Sequence, residues 1–325
     1  MDFELSDDQV ALQDGVRSFL QGRFPIETVR GLEDRGGIDR GLWQELADMG
    51  IFALRLDEAA GGVGLGWADA VLVFEELGRA LVPGPLVWTH LLAGRIDGAA
   101  TGEIVVGGIE RGDESGLVEH PDGIDVLVVL DDAGIWSVDP SDLELEPIPT
   151  PLDSLTPVSR LVAPLPQGEQ IGTADDAAAL RLGGAALVAG YLLGIAEATT
   201  ALSVAYAQER TQFDRPIGMF QALKHHMADM FSRAEVARGG VYAAGVTLDD
   251  PLVGSVERAV AAAKFTAGEA AIENTKKAVQ VHGGMGYTWE IDAHLQLKRA
   301  YALDPLFGGR DEQAEVMADL LDALV

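Results

Sequence analysis

Along the first hundred positions, apolar residues recur at intervals of three and four. Leu12, Val16, Phe19 and Leu20 follow Ser6-x-x-Gln9, a capping box in which the serine hydroxyl and the glutamine side chain satisfy each other's orphan backbone donors. A helix is expected to start there. The run LWQELADMGIFAL reads as a second amphipathic helix stopped by Gly50, and WADAVLVFEELGRAL as a third, ended by Pro83-Gly84-Pro85. Between them the glycine-rich stretch AAGGVGLG, residues 59–66, breaks the periodicity. Residues 1–97 are thus expected to form a mostly helical domain.

The period then changes. Over residues 98–172 the chain offers short apolar runs, GEIVVGGI, IDVLVVL and GIWSV, separated by Gly, Asp and Pro clusters that suit turns. This stretch predicts a small β domain. Its tail, LELEPIPTPLDSLTPVSRLVAPLPQGEQIG, carries six prolines, which confine it to edge strands or extended connections. From residue 173 to 325 the chain is rich in alanine and helical in pattern, with breaks near DRPIG, LDDPLVG, HGGMG and FGGR. Four or five helices of about twenty residues make a bundle. The expected fold is therefore mainly α with a small central β domain.

Charge narrows the possible partners. Lys and Arg number 23 against 52 Asp and Glu, a formal net charge of −29 that repels phosphate backbones and anionic headgroups. Neither nucleic acid nor a membrane is expected as a partner. The absence of cysteine removes disulfides, thiolate metal sites and a cysteine nucleophile. The acidic start MDFELSDDQVALQDGV has no basic or strongly apolar leader, and no run of about 18 apolar residues is free of charges or glycine clusters. A cytoplasmic location is expected.

Candidate chemistry lies in the bundle. Glu197, Glu209, Asp229 and Glu290 are read as intrahelical carboxylates, any of which could serve as a general base if burial raised its pKa, although most such groups are simply solvated. The loop at 59–66 lacks the strand-before, helix-after setting of a dinucleotide fingerprint and reads as a turn between helices. His225, His226, His282 and His294 show no metal-binding spacing, and no metal is expected. Two segments stand out. In one, Arg210 and Gln212 precede the turn Asp214-Arg215-Pro216-Ile217-Gly218, and Gln221 and Lys224 follow it, a cationic spot suited to phosphate. In the other, Gln280 precedes Gly283, Gly284 and Gly286, where bare backbone N–H groups can bind an anion.

These motifs, in this order, resemble the acyl-CoA dehydrogenase family of flavoproteins over nearly the whole chain. The specific signals are RTQFDRPIGMFQALKH and QVHGGMGYTWE. The resemblance implies an N-terminal helical domain, a middle β domain and a C-terminal helical bundle, assembled as a dimer of dimers around FAD. It implies that Arg210 contacts the flavin pyrophosphate, that Gln212, Phe213 and Gln221 help hold the cofactor, and that Gln280, Gly283 and Gly284 reach its adenosine and pyrophosphate across a subunit interface. Asp214 departs from the glycine of many members and puts the turn's conformation in question.

The family reaction is α,β-dehydrogenation of an acyl-CoA thioester, in which a glutamate takes the α-proton while the β-hydrogen leaves as hydride to the flavin. Counting nine residues from Arg299, the usual position of that glutamate is Gly308. The alternative position near the start of the first bundle helix falls at Gly184 and Ala185, and no acid stands between Asp176 and Glu197. Residues 98–172 contain neither the TExxxGSD loop nor the W-I-[TS] strand that enclose the flavin ring in full-length members, so the middle domain is read as truncated. The pattern resembles the short subunit of heteromeric α2β2 enzymes acting on steroid CoA thioesters, which lacks a catalytic residue of its own. A longer partner would supply the glutamate and the ring pocket, with electron-transfer flavoprotein as acceptor. The alternative is a self-sufficient flavoenzyme using an unconventional base such as Glu197 or Asp304.

Overall fold

A computed structural model describes residues 4–112 and 116–322. Two compact units emerge, one of Met1–Gly22, Val71–Leu81 and Ala185–Val325, the other of Arg23–Ala70 and Val82–Gly184. The helices are α1 (Asp7–Arg23), α2 (Ile26–Arg30), α3 (Arg40–Asp48), α4 (Trp67–Arg79), α5 (Leu86–Leu92), α6 (Ala174–Glu209), α7 (Gln221–Asp249), α8 (Val256–His282), α9 (Ala293–Leu303) and α10 (Arg310–Asp322). The Ser6–Gln9 capping box forms as expected, each backbone N–H donating to the other's side-chain oxygen at 3.2 Å.

The second unit carries the two larger sheets. Strands β1 (Val106–Glu110), β3 (Val126–Asp131), β4 (Gly134–Val138) and β7 (Glu169–Gly172) make a sheet in the order β1-β3-β4-β7. Pairing of β1 with β3 is parallel, and β3 with β4 forms a hairpin. The Asp131 carboxylate fixes that hairpin by accepting from Ala133 N, Gly134 N and Trp136 Nε1. A second sheet, ordered β2-β6-β5, joins β2 (Leu117–Glu119), β6 (Val158–Leu161) and β5 (Leu145–Pro147). The proline-rich tail behaves as its composition demands: Pro147 lies in the edge strand β5, where a missing N–H costs no ladder bond.

In the first unit the bundle breaks where glycine and proline predicted. Its packing rests on small residues, with Ala263, Ala267, Ala270 and Ala271 of α8 fully buried. Where α4 crosses α6, backbone meets backbone. A Cβ on Gly78 would lie 1.9 Å from the Tyr191 carbonyl oxygen, and one on Gly194 would lie 1.9 Å from that of Glu75. The glycines of α6 are thus contact points rather than breaks, and the helix runs 36 residues through them. By length and composition α6 is apolar enough to cross a membrane, yet 78% of that apolar window is buried inside the protein. It is a core helix.

The crossing sets a row of charges inside the first unit. Glu75 and Glu76 of α4 are essentially unexposed, and Glu197 of α6 is 8% exposed. Glu197 is clamped between the guanidinium groups of Arg79 and Arg238. Arg17 pairs with Glu76 at 2.8 Å, and Glu75 accepts from Arg79 at 3.0 Å and from the Tyr242 hydroxyl at 2.9 Å. Burial, reinforced by the neighbouring Glu197 charge, pushes the Glu75 carboxyl up to about 8.

Candidate cofactor-phosphate site

Helix α6 ends one residue before Arg210, whose N–H still donates to the Tyr206 carbonyl oxygen at 2.8 Å. The chain then turns back through a two-stranded ribbon, β8 (Thr211–Gln212) against β9 (Arg215–Pro216). The two residues at its tip, Phe213 and Asp214, have φ of 54° and 61°. Positive φ at both loop positions is the signature of a type I′ turn, whose twist matches that of the strands. Asp214 therefore occupies a glycine-favouring conformation without undoing the turn, as the short, polar Asp and Asn side chains can. Ile217 N donates to Arg210 O at 2.8 Å and closes the loop, and Gln221 opens α7 with no side-chain cap over its first amides.

The second segment begins where α8 stops at His282. Gly283 has φ 60° and ψ −136°, a conformation close to glycine's exclusive territory. A Cβ on Gly283 or on Gly284 would meet nothing within 4 Å, so both glycines present bare backbone to open space. Gly286 differs, since a Cβ there would lie 2.5 Å from Val279 O; the turn folds back on the helix.

One apolar cluster unites the two segments. Ala207 from α6, Ile217 from the turn and Val281 from α8 are buried together, with Tyr206, Phe220, Leu223 and Met227 packed against them. Around this cluster Arg210, Gln212, Phe213, Gln221 and Gln280 are all exposed, Phe213 at 84%. Arg215 is engaged elsewhere, its guanidinium 4.3 Å over the Phe220 ring, while Lys224 is exposed on the first turn of α7. A guanidinium, amide side chains and open glycine backbone make a donor set suited to a diphosphate and an adenine edge, which fits the phosphate and adenosine end of a dinucleotide.

The candidate acids lie apart from such a site in character. Glu197 is the buried, doubly clamped carboxylate described above. Glu209 and Asp229 are exposed, as the solvated reading has it. Glu290 is not in a helix at all: α8 ends eight residues earlier, and Glu290 sits in an exposed turn before α9. At the C-terminal turn, Gly308 has φ 87°, and a Cβ there would lie 2.4 Å from Gln313 Nε2. Lys264, one of three lysines on the alanine-rich α8 with Lys276 and Lys277, carries no local sequence signal that marks it as special. It is fully buried and donates to the carbonyl oxygens of Asp304 at 2.6 Å and Gly308 at 3.1 Å. Asp304 accepts from Arg310 Nε at 3.2 Å.

The family models for the acyl-CoA dehydrogenase N-terminal domain and C-terminal domain match residues 6–103 and 180–321. A relative, acyl-CoA dehydrogenase IpdE2 of Mycolicibacterium smegmatis, is 33% identical over 95% of this chain and 97% of its own length. The chain belongs to the acyl-CoA dehydrogenase family. FAD is accordingly its cofactor, and the donor set around Arg210 and Gly283 fits that molecule's phosphate end. A second relative, acyl-CoA dehydrogenase FadE34 of Mycobacterium tuberculosis, is 32% identical over 94% of this chain, but the chain spans only 47% of FadE34. The fold is shared with a solved steroid ACAD, Tcur3481–Tcur3483, at TM-score 0.83 and 23% identity, covering 98% of each chain.

Proposed function

We propose that this chain is the short, base-less subunit of a heteromeric FAD-dependent acyl-CoA dehydrogenase. The observation that carries the reading is the C-terminal turn. Where the family resemblance expects the proton-abstracting glutamate there is Gly308, at φ 87° with Gln313 filling the space beside it. The chain contributes Arg210, Gln212, Phe213 and Gln221 toward the diphosphate, and Gln280, Gly283 and Gly284 toward the adenosine and diphosphate. A longer homologous partner contributes the glutamate and the flavin-ring pocket. When bound, FAD supplies the oxidant, taking the substrate β-hydrogen as hydride while the partner's carboxylate takes the α-proton and the Cα–Cβ double bond forms.

Two comparisons support the pairing. The steroid ACAD with the same fold is named for two chains. In FadE34 the stretch matching this chain is 47% of the polypeptide, which leaves a portion of similar size beside it in the same molecule. The substrate is thus proposed to be a bulky, steroid-type acyl-CoA, and the electron acceptor an electron-transfer flavoprotein. The self-sufficient reading loses ground on geometry: Glu197 is engaged by the guanidinium groups of Arg79 and Arg238, and Asp304 by that of Arg310, in ion pairs within the bundle.

Purification of the chain alone and together with a glutamate-bearing homologue tests this reading. Co-expression should give an α2β2 assembly with one FAD per heterodimer, and the chain alone should be nearly colourless. A yellow, active homo-oligomer from the chain alone would overturn it.

A further inference from the structure

The ligand-facing groups at the end of the bundle come from two separate segments, and something must hold those segments at a fixed spacing. The structure provides a direct link. The Tyr206 and His282 rings face each other with centroids 4.2 Å apart and an interplanar angle of 31°. Tyr206 lies in the last turn of α6, and its carbonyl oxygen accepts the Arg210 N–H at 2.8 Å, so one helical hydrogen bond separates the ring's residue from the arginine. His282 ends α8 and is bonded directly to Gly283.

The imidazole is held more firmly than packing alone would hold it. His282 is 3% exposed, and its Nδ1 lies 2.7 Å from the Ala278 carbonyl oxygen. A carbonyl only accepts, so Nδ1 carries the proton, and the bond fixes the ring plane against its own helix. The rest of the cluster is formed by Ala207, Ile217 and Val281 with Phe220, Leu223 and Met227 packed against them, mostly aliphatic side chains that resist compression but do not fix orientation. The stacked ring pair is the directional contact across the cluster.

We propose that Tyr206 and His282 are positioning residues, which set the separation of the Arg210 turn from the Gly283–Gly284 turn so that both engage one FAD diphosphate-adenosine unit. The inference rests on the assignment of these two turns to the cofactor, and neither ring is asked to touch it. An element that orients two donor groups at once multiplies their effect, because displacing either by about an ångström forfeits the shared contact.

The test uses the assembled complex with its glutamate-bearing partner, and measures FAD release on dilution by flavin fluorescence together with the 31P spectrum of the bound cofactor. Tyr206→Leu should weaken FAD binding about five- to tenfold and move the diphosphate resonances, while Tyr206→Phe, which keeps the ring, should restore both. His282→Gln, which can keep the bond to Ala278 O without a ring, is read in the same way where Tyr206→Leu does not assemble. Arg210→Ala separates the two claims. If it weakens binding while the ring variants leave both affinity and 31P shifts unchanged, the positioning role is wrong and the cofactor assignment stands. If Arg210→Ala itself leaves FAD binding unchanged, the cofactor assignment fails and the positioning role fails with it.

Discussion

Lys264, fully buried in α8, donates from Nζ to the carbonyl oxygen of Gly308 at 3.1 Å, and so grips the residue that stands where the family resemblance expects the catalytic base. A second bond to Asp304 O at 2.6 Å and the Asp304–Arg310 pair pin the same turn to the helix. Gly268 makes room for this arrangement, since a Cβ there would lie 2.3 Å from Asp304 Oδ1. The turn is built as a fixed support with no carboxylate in it.

Restoring the glutamate should therefore fail to restore the chemistry. Gly308→Glu forces a side chain into left-handed backbone at φ 87° and drives its Cβ against Gln313. We expect a loss of about 1–3 kcal/mol in stability and no gain of acyl-CoA-dependent flavin reduction, read by thermal unfolding and by stopped-flow absorbance. Measurable turnover by the variant without a partner would contradict this account of the turn.

Lys264→Met tests the support itself. The substitution keeps the apolar stem but removes the donor to Asp304 O and leaves Gly308 O with only the longer bond from Gln313 Nε2 at 3.4 Å, at a cost of about 1–3 kcal/mol. Chemical denaturation should show a lower midpoint with an unchanged slope, and hydrogen exchange should rise at Gly309, Arg310 and their neighbours. An unaltered midpoint would mean that the lysine is a passenger.

Gly194→Ala probes the crossing of α4 and α6. Its methyl group would stand 1.9 Å from Glu75 O and 2.6 Å from Arg79 N, both backbone atoms that cannot swing aside. Soluble yield and thermal midpoint should fall sharply, by an amount in the range of severe core overpacking, about 3 kcal/mol or more. The exposed Gly239, around which a Cβ meets nothing within 4 Å, supplies the control and should tolerate alanine.

Glu75 predicts a pH dependence with a definite sign. Its folded pKa is raised from 4.5 to about 8, chiefly by burial. Between these values the native state keeps a proton that the unfolded chain has released, so this group's contribution is full below pH 4.5 and is lost as pH rises to about 8. Glu75→Gln replaces the protonated acid with a neutral isostere. The variant's thermal midpoint should fall less than that of the parent on going from acid to mildly alkaline conditions, and a difference that grew in the opposite sense would refute the raised pKa.

Much of this molecule was legible before any coordinates. The bundle helices announced themselves because alanine-rich runs are punctuated by Gly and Pro, and the Arg210 and Gly283 turns because their residue types are unusual for a turn with no ligand to meet. Three features were hidden for physical reasons. The apolar run of α6 reads as interrupted because glycine at 183, 184, 190 and 194 has low helix propensity, whereas tertiary contact with α4 favours glycine at the crossing. The Glu75–Arg79–Glu197–Arg238 cluster joins residues more than a hundred positions apart and has no local signature. Glu290, expected inside a helix, lies in a turn between the 3-10 helix Gly283–Tyr287 and α9, because the chain does not resume an α-helix until Ala293.

The central claim is that the proton is taken by a carboxylate on another polypeptide. General-base catalysis is worth about 10²–10⁴-fold in rate, enough to separate the alternatives in single turnover. In the assembled complex, substrate-dependent bleaching of the flavin should be unaffected by the conservative replacement Asp304→Asn in this chain. It should fall by about two orders of magnitude or more when the partner's suspected glutamate becomes glutamine. Loss of reduction on Asp304→Asn, with reduction intact after the partner's substitution, would place the base in this chain and contradict the account.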